Sequence, residues 1–243
     1  MGADLRGKVA IVTGVGRAGQ VGQALAQAAL DAGAQLVIAD IDGVALAERA
    51  QELATRGGAV RAGAADLASV AGARRVVDEA RLAFGGLDVL LNVAGGFFYS
   101  GPFTDAGLDV LERELAVNFK TAFVTSQAAV PALIERGGGA IVNFASIAAV
   151  RPMARVAPYA AAKSAVAGLT VALARELRDR GVRVNAVAPA TIRTAANVGQ
   201  MGEDPTNPFV EMGEVVDAVL FLASDAARGI TGEVVAIAGT GAS

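Results

Sequence analysis

The chain has 243 residues, 53% of them hydrophobic and 19% charged, a composition that favours a well-buried globular core over disorder. It contains no Cys, His or Trp, which excludes a Ser-His-Asp triad, a thiolate nucleophile, a disulfide framework and any thiolate or imidazole metal site, and with them a zinc-dependent alcohol dehydrogenase. With 21 basic against 24 acidic residues the formal charge is −3, which offers no footprint for a nucleic acid.

Along the chain, short β-branched runs alternate with helical stretches. The predicted strands are Val9 to Val12, Leu36 to Ala39, a weaker Ala59 to Ala62, Val89 to Leu91, Ala140 to Phe144, Val182 to Val187 and Val234 to Ile237. Their apolar residues are continuous rather than alternating, as in parallel strands covered on both faces. Helices are predicted near 21–32, 43–56, 69–84, 107–135, 157–180 and 212–223. Gly33, Gly57, Gly85, Gly137 and Gly181 stand just past helix ends as stop signals. Strand-helix-strand repetition with right-handed crossovers implies a single α/β domain over 1–243, a Rossmann-like doubly wound parallel sheet of about seven strands between two helical layers. The one long loop-like stretch, about Ala195 to Met212, is expected to be a short substrate loop that leaves an open, poorly ordered pocket wall. The N-terminal residues lack the apolar stretch of a signal peptide and no window of about 18 apolar residues occurs, so no membrane association and a cytoplasmic protein are expected.

Strand one runs into Thr13-Gly14-Val15-Gly16-Arg17-Ala18-Gly19-Gln20-Val21-Gly22, and a helix follows. Glycines in such a turn let the backbone approach a pyrophosphate, whose charge meets the helix N-terminus. Asp40 ends strand two at about the 20-residue spacing at which a carboxylate meets an adenosine ribose. A carboxylate there repels a 2′-phosphate, so NAD(H) is favoured. Arg17 is placed to neutralise such a phosphate and leaves NADP(H) open. Asp42 is the better candidate for capping the next helix.

Tyr159 and Lys163 lie one turn apart on one helix face, in a chain with just two tyrosines and three lysines. Ser146 stands at the end of a strand, Asn118 at the start of a helix, and Asn92-Val93-Ala94-Gly95 where strand four ends. These segments converge at the carboxyl end of the sheet, where open α/β folds bind ligands. Together with Asp66-Leu67 after strand three and Pro189-Ala190-Thr191-Ile192-Arg193-Thr194 after strand six, they make the chain resemble the short-chain dehydrogenase/reductase family over essentially its whole length. The resemblance implies a catalytic tetrad of Asn118, Ser146, Tyr159 and Lys163. It also implies a cofactor site that includes Gly14, Arg17, Gln20, Val21, Asp40, Ile41, Asp66, Leu67, Asn92, Ala94, Gly95, Tyr159, Lys163, Pro189, Ile192 and Thr194, with Asp66 and Leu67 flanking adenine and Ile192 and Thr194 at the nicotinamide amide.

The chemistry is coherent from the residues themselves. Interconverting an alcohol and a ketone moves a hydride and a proton, and Tyr159 is the phenol placed to move the proton. Its ordinary pKa of about 10 must fall by about three for work near neutrality, which takes roughly 4 kcal/mol. One cation about 4 Å away at an effective dielectric of ~20 supplies close to that, and Lys163 is expected to provide it. Ser146 would donate to the substrate oxygen. By resemblance, Asn118 would hold a water joining Lys163 to solvent.

The pattern also departs from the family. The glycine turn is two residues longer than Thr-Gly-x-x-x-Gly-x-Gly, Val93 replaces the second Asn of Asn-Asn-Ala-Gly, and Ala190 replaces a Gly after Pro189. Phe97, Phe98 and Tyr99 are candidates for an apolar pocket, and Arg151 and Arg155 for contacts to an anionic substrate, against plain surface roles. The leading expectation is a metal-independent NAD(P)-dependent oxidoreductase interconverting a secondary alcohol and a ketone. The alternatives are an NADPH-linked 3-oxoacyl thioester reductase and a non-catalytic dinucleotide-sensing scaffold. By resemblance a homotetramer, or a homodimer, is expected through helices near 119–135 and 157–180 and the last strand.

Overall fold

The structure, a computed structural model, describes residues 3–202 and 209–239. Seven strands form one parallel sheet in the order β3-β2-β1-β4-β5-β6-β7, with β1 Val9–Thr13, β2 Gln35–Asp40, β3 Val60–Ala64, β4 Val89–Asn92, β5 Gly139–Phe144, β6 Val182–Pro189 and β7 Val234–Ile237. Each predicted strand is present within two residues of its expected ends. The order reverses between β1 and β4, which opens a crevice at the carboxyl ends of these strands.

The strands are apolar on both faces because both are covered. Ala10 and Val12 of β1, Leu36 and Ile38 of β2, and Val142 of β5 face one core, which α1 (Val21–Asp31), α2 (Gly43–Ala54) and α9 (Met212–Ala223) complete. Val9 and Ile11, Val37 and Ala39, and Ile141 face the other, closed by α3 (Val70–Phe84), α5 (Thr121–Glu135) and α7 (Ala157–Leu177). The two-residue alternation along each strand divides the side chains between the layers.

The predicted helix 107–135 is three pieces. α4 (Leu108–Glu114) passes into a π-helical turn, Leu115–Lys120, and then into α5. Asn118 therefore lies inside the widened turn rather than at the start of a helix. The stretch expected as an open loop holds a short helix, α8 (Ala195–Met201), and another short helix, α6, spans Ile147–Val150. Thr194 Oγ1 caps α8 by accepting from the Asn197 N–H at 3.2 Å, and α8 has no buried residue. The wall is thus a helix laid on the surface, and residues 203–208 of the expected loop lie outside the described residues. By length and hydropathy alone one helical segment, Ala157–Arg180, would be apolar enough to cross a bilayer. One face of it, including Lys163, Val166, Thr170, Ala174 and Leu177, is buried in the fold.

Candidate active site

The first strand and turn build the floor of the cleft. Gly14 has φ +74° and sits so close to Ala94 that a Cβ would stand 2.8 Å from its Cα, while a Cβ on Gly22 would collide with the Gly14 carbonyl. Only glycine satisfies both positions. Thr13 pins the opposite turn: its Oγ1 accepts the N–H groups of Val93 and Ala94, each at 2.9 Å, and donates to the Leu91 carbonyl at 3.3 Å. This buried hydroxyl was not singled out in the sequence, where Thr13 read only as the first residue of the glycine turn.

The lengthened glycine turn resolves into assigned amides. The Gly16 N–H donates to Asp40 Oδ2 at 2.8 Å, and the Gly19 N–H to Gln23 Oε1 at 2.7 Å. The Gln20 side chain makes no cap on α1. The first-turn N–H groups of Val21, Gly22 and Gln23 have no intrahelical partner and form the donor end of the cleft. Asp42 caps α2 as expected, accepting from Val44 and Ala45 at 3.1 Å each, and donates its own N–H to Asp40 Oδ1 at 3.1 Å.

A cleft of about 610 Å³ is lined by Gly14, Arg17, Gln20, Val21, Asp40, Ile41, Asp66, Leu67, Ala94 and Gly95, together with Phe98, Arg113 and Val117. That volume is within the ~300–1,000 Å³ of cofactor sites. Unpaired helix amides at one point and a carboxylate at the end of β2 are the donor and acceptor set that a nucleotide's diphosphate and ribose require, so the residues fit a dinucleotide. Asn92 ends β4, as expected, with its side chain turned into the core. Its Nδ2 donates to Ser126 Oγ and Asn143 Oδ1, both at 2.9 Å, which ties β4 to α5 and β5 inside the core. Pro189 ends β6, and Ile192 pairs with Val210 in an isolated bridge that orders the segment before Thr194.

At the ends of β4 and β5 the polar cluster assembles. Ser146 caps α6 by accepting from Ala148 at 3.2 Å, and its side chain stands close enough to Tyr159 to favour the phenolate. Lys163 is buried and donates to the Phe144 carbonyl at 2.8 Å, with Nζ 5.9 Å from the centre of the Tyr159 ring. Asn118 is also buried, and a Cβ on Gly95 would stand 2.6 Å from its Oδ1 and 3.5 Å from Lys163 Nζ. The four residues expected to act together thus cluster behind Gly95 and Phe144, which line the cleft, and none of the four lines it directly.

The electrostatics correct the sequence expectation. Burial pushes the Tyr159 phenol above its ordinary value, hydrogen bonding with Ser146 pulls it down, and the Glu114 carboxylate pushes it up again. The expected depression by Lys163 is not seen, because the lysine is itself desolvated: burial pulls it down to about 8, against an upward push from Glu114. Glu114, wholly buried, is a member of the cluster that sequence reasoning missed.

Of the three aromatics after Gly96, Phe97 alone meets the cluster, edge-on to the Tyr159 ring with centroids 5.1 Å apart. Phe98 lies under the Arg113 guanidinium at 3.7 Å. Tyr99, Arg151 and Arg155 are exposed. Arg155 has φ 65°, and its carbonyl accepts from Ser100 Oγ at 3.0 Å, which joins the two rim segments of the cleft.

The fold and this convergence agree with known proteins. Residues 14–240 match the family described as enoyl-(acyl carrier protein) reductase. The chain is 37% identical to 2-(S)-hydroxypropyl-CoM dehydrogenase 3 of Xanthobacter autotrophicus, covering 98% of both chains. It is 36% identical to D-threitol dehydrogenase of Mycolicibacterium smegmatis, over 94% of this chain and 90% of that one. Among solved structures, a 7α-hydroxysteroid dehydrogenase complexed with NADH and 7-oxo glycochenodeoxycholic acid is 30% identical, with a TM-score of 0.88 over 98% of this chain and 96% of that one.

The chain belongs to the short-chain dehydrogenase/reductase family. It is an oxidoreductase that interconverts a secondary alcohol and a ketone with a nicotinamide dinucleotide.

Proposed function

We propose that the chain is an NAD(H)-dependent alcohol dehydrogenase in which Tyr159 moves the proton, Ser146 holds the substrate oxygen, and Lys163 and Asn118 serve Tyr159. When bound, the nicotinamide accepts or returns the hydride. The observation that carries this reading is the contact of Ser146 and Tyr159 at the carboxyl end of β5, with Lys163 one turn along the same helix face. In oxidation, Tyr159 takes the hydroxyl proton while Ser146 donates to the oxygen, and in reduction Tyr159 returns it. A charged Lys163 ammonium favours the phenolate, and its bond to the Phe144 carbonyl uses one of its three donors. The preference for NAD(H) rests on Asp40, whose charge at the end of β2 repels a 2′-phosphate; the exposed Arg17 is the opposing feature.

The first-turn amides of α1 would hold the diphosphate, Asp40 the adenosine ribose, and Ile41, Asp66 and Leu67 the adenine. The substrate side is apolar at its rim, where Phe97, Val150 and Met153 are exposed, which suits a hydrocarbon-bearing alcohol better than a polyanion. Exposed Phe123 on α5, exposed Phe221 on α9 and the half-buried edge strand β7 support assembly of a homotetramer or homodimer through these elements. One continuous sheet from Val9 to Ile237 supports a single domain, and a cytoplasmic location accords with this reading.

The test is Tyr159→Phe with a panel of secondary alcohols and ketones and both dinucleotides. The variant is expected to bind NADH as the parent does and to lose about 10²–10⁴-fold in turnover. Unchanged turnover would remove Tyr159 from the reaction.

A further inference from the structure

Glu114 ends α4 with none of its surface exposed. A carboxyl group in such a place is costly unless its oxygens are satisfied. Oε1 accepts the Phe98 backbone N–H at 2.6 Å, and Oε2 accepts from Asn118 Nδ2 at 2.6 Å. Neither donor has another orientation open to it. The first belongs to the backbone. The second is fixed because Asn118 pairs with both backbone groups of Gly96, accepting its N–H on Oδ1 at 3.2 Å and donating Nδ2 to its carbonyl at 3.0 Å. Turning the amide over would break both bonds. Both Glu114 oxygens must therefore accept. The ionised carboxylate does so, whereas a carboxylic acid brings a proton for which these partners offer no acceptor.

The charge has neighbours. Lys163 and Tyr159 face it from α7 and Arg113 from its own helix, and no other titratable group among the described residues interacts with it. The Lys163 ammonium is buried with a single carbonyl as hydrogen-bond partner, so a nearby anion is what keeps it charged in a dry site. We propose that Glu114 is a positioning residue of the reaction, its carboxylate locking Asn118 and the 96–98 turn against the cleft and supplying the counter-charge of the Lys163 ammonium. This rests on Asn118, Tyr159 and Lys163 being the reacting cluster. Burial raises the Glu114 carboxyl above its ordinary range and the contacts of Phe98, Lys163, Arg113 and Asn118 offset only part of that rise, so the carboxylate depends on keeping these partners.

An anion beside Tyr159 and Lys163 holds the proton on each of them. Removing that charge lets both lose protons at lower pH. Glu114→Gln removes it and also brings an amide N–H against either Phe98 or Asn118, so one of the two bonds must fail. For alcohol oxidation we expect the acid limb of kcat to move down by about one pH unit and the plateau to fall about tenfold. The KM for NAD should stay within about threefold, because Glu114 does not line the dinucleotide cleft. A uniform loss of activity with an unmoved limb, or a rise in the KM for NAD at unchanged kcat, would overturn the proposal.

Should the variant not fold, or should the wild-type chain oxidise no alcohol in the panel, carbon-13 NMR of the glutamate-labelled wild type and Lys163→Met proteins decides. A buried carboxyl signal that is ionised at neutral pH, and titrates higher when Lys163 is removed, supports the proposal. One that is protonated at neutral pH in the wild type, or indifferent to Lys163, overturns it. Absence of turnover alone would count against the catalytic reading and not against the carboxylate.

Discussion

Asp40 Oδ2 accepts the Gly16 N–H at 2.8 Å, so one carboxylate ties the end of β2 to the lengthened glycine turn while lining the cleft. A Cβ on Gly16 would stand 2.9 Å from the Asp40 carboxyl carbon, which leaves no room for a larger residue between them. Asp40→Asn keeps an oxygen for Gly16 and removes the charge. The ratio of kcat/KM for NADP over NAD should rise at least about tenfold, the equivalent of 1.4 kcal/mol. Paired kinetics with the two dinucleotides measure this, and an unchanged ratio would take the specificity away from Asp40.

Thr13 satisfies two N–H groups of the 92–95 turn from a neighbouring strand. Thr13→Val keeps the shape and strips both acceptor bonds, leaving two part-buried donors unpaired. The expected loss is about 2 kcal/mol, a fall in Tm of about 4–8 °C for a chain of this size. Calorimetry checks it. Because the same turn carries Ala94 and Gly95 into the cleft, NAD binding should weaken together with stability.

The sheet was legible because parallel strands buried on both faces write themselves as continuous β-branched runs. The break at 115–120 was not. Apolar residues recur at helical spacing through α4, the π-turn and α5, and one extra residue in a turn leaves no mark in composition. Glu114 escaped notice for a related reason: in an amphipathic helix a glutamate reads as solvent-facing, and only the fold sets it against Asn118 and Phe98. The Asn118, Ser146, Tyr159 and Lys163 convergence followed from spacing and strand ends. Their charge states did not, since desolvation depends on what covers them. Asn92 shows the opposite failure, a motif residue whose side chain the fold turns inward to Ser126 and Asn143. The helix after Thr194 did carry its signals, a Thr cap and Gly202 just past the end, but glycines and prolines further along masked them.

Gly95 separates the dinucleotide cleft from the polar cluster. A Cβ there would press on Asn118 Oδ1 at 2.6 Å and touch Lys163 Nζ at 3.5 Å. Gly95→Ala must push the Asn118 amide off its Gly96 and Glu114 partners. On the proposed roles of Asn118 and Lys163, which serve the proton rather than the substrate's carbon frame, turnover should drop about 10- to 100-fold with a smaller change in the KM for the alcohol. Steady-state kinetics would contradict this if KM alone rose.

Lys163 makes a case in which function opposes stability. Burial holds its pKa down to about 8 against an ordinary value of 10.5. Below about pH 8 the folded chain carries a buried ammonium that the unfolded chain would carry in water, a cost of about 3 kcal/mol at 1.36 per pH unit. Between about 8 and 10.5 the unfolded chain binds the proton and the folded chain does not, so wild-type stability rises with pH through that window. Lys163→Met removes the charge, the attraction of Glu114 being already contained in that pKa, and leaves the Phe144 carbonyl without its donor, which returns about 1 kcal/mol. The Met variant should therefore be more stable than wild type by about 2 kcal/mol at neutral pH, and this advantage should shrink as pH rises from 8 towards 10.5. Its turnover should fall about 10²–10⁴-fold at every pH. Denaturant unfolding of both proteins across this range checks the sign. A Met variant less stable at neutral pH, or an advantage that grows with pH, would show that the lysine is held by favourable interactions rather than tolerated for its chemistry.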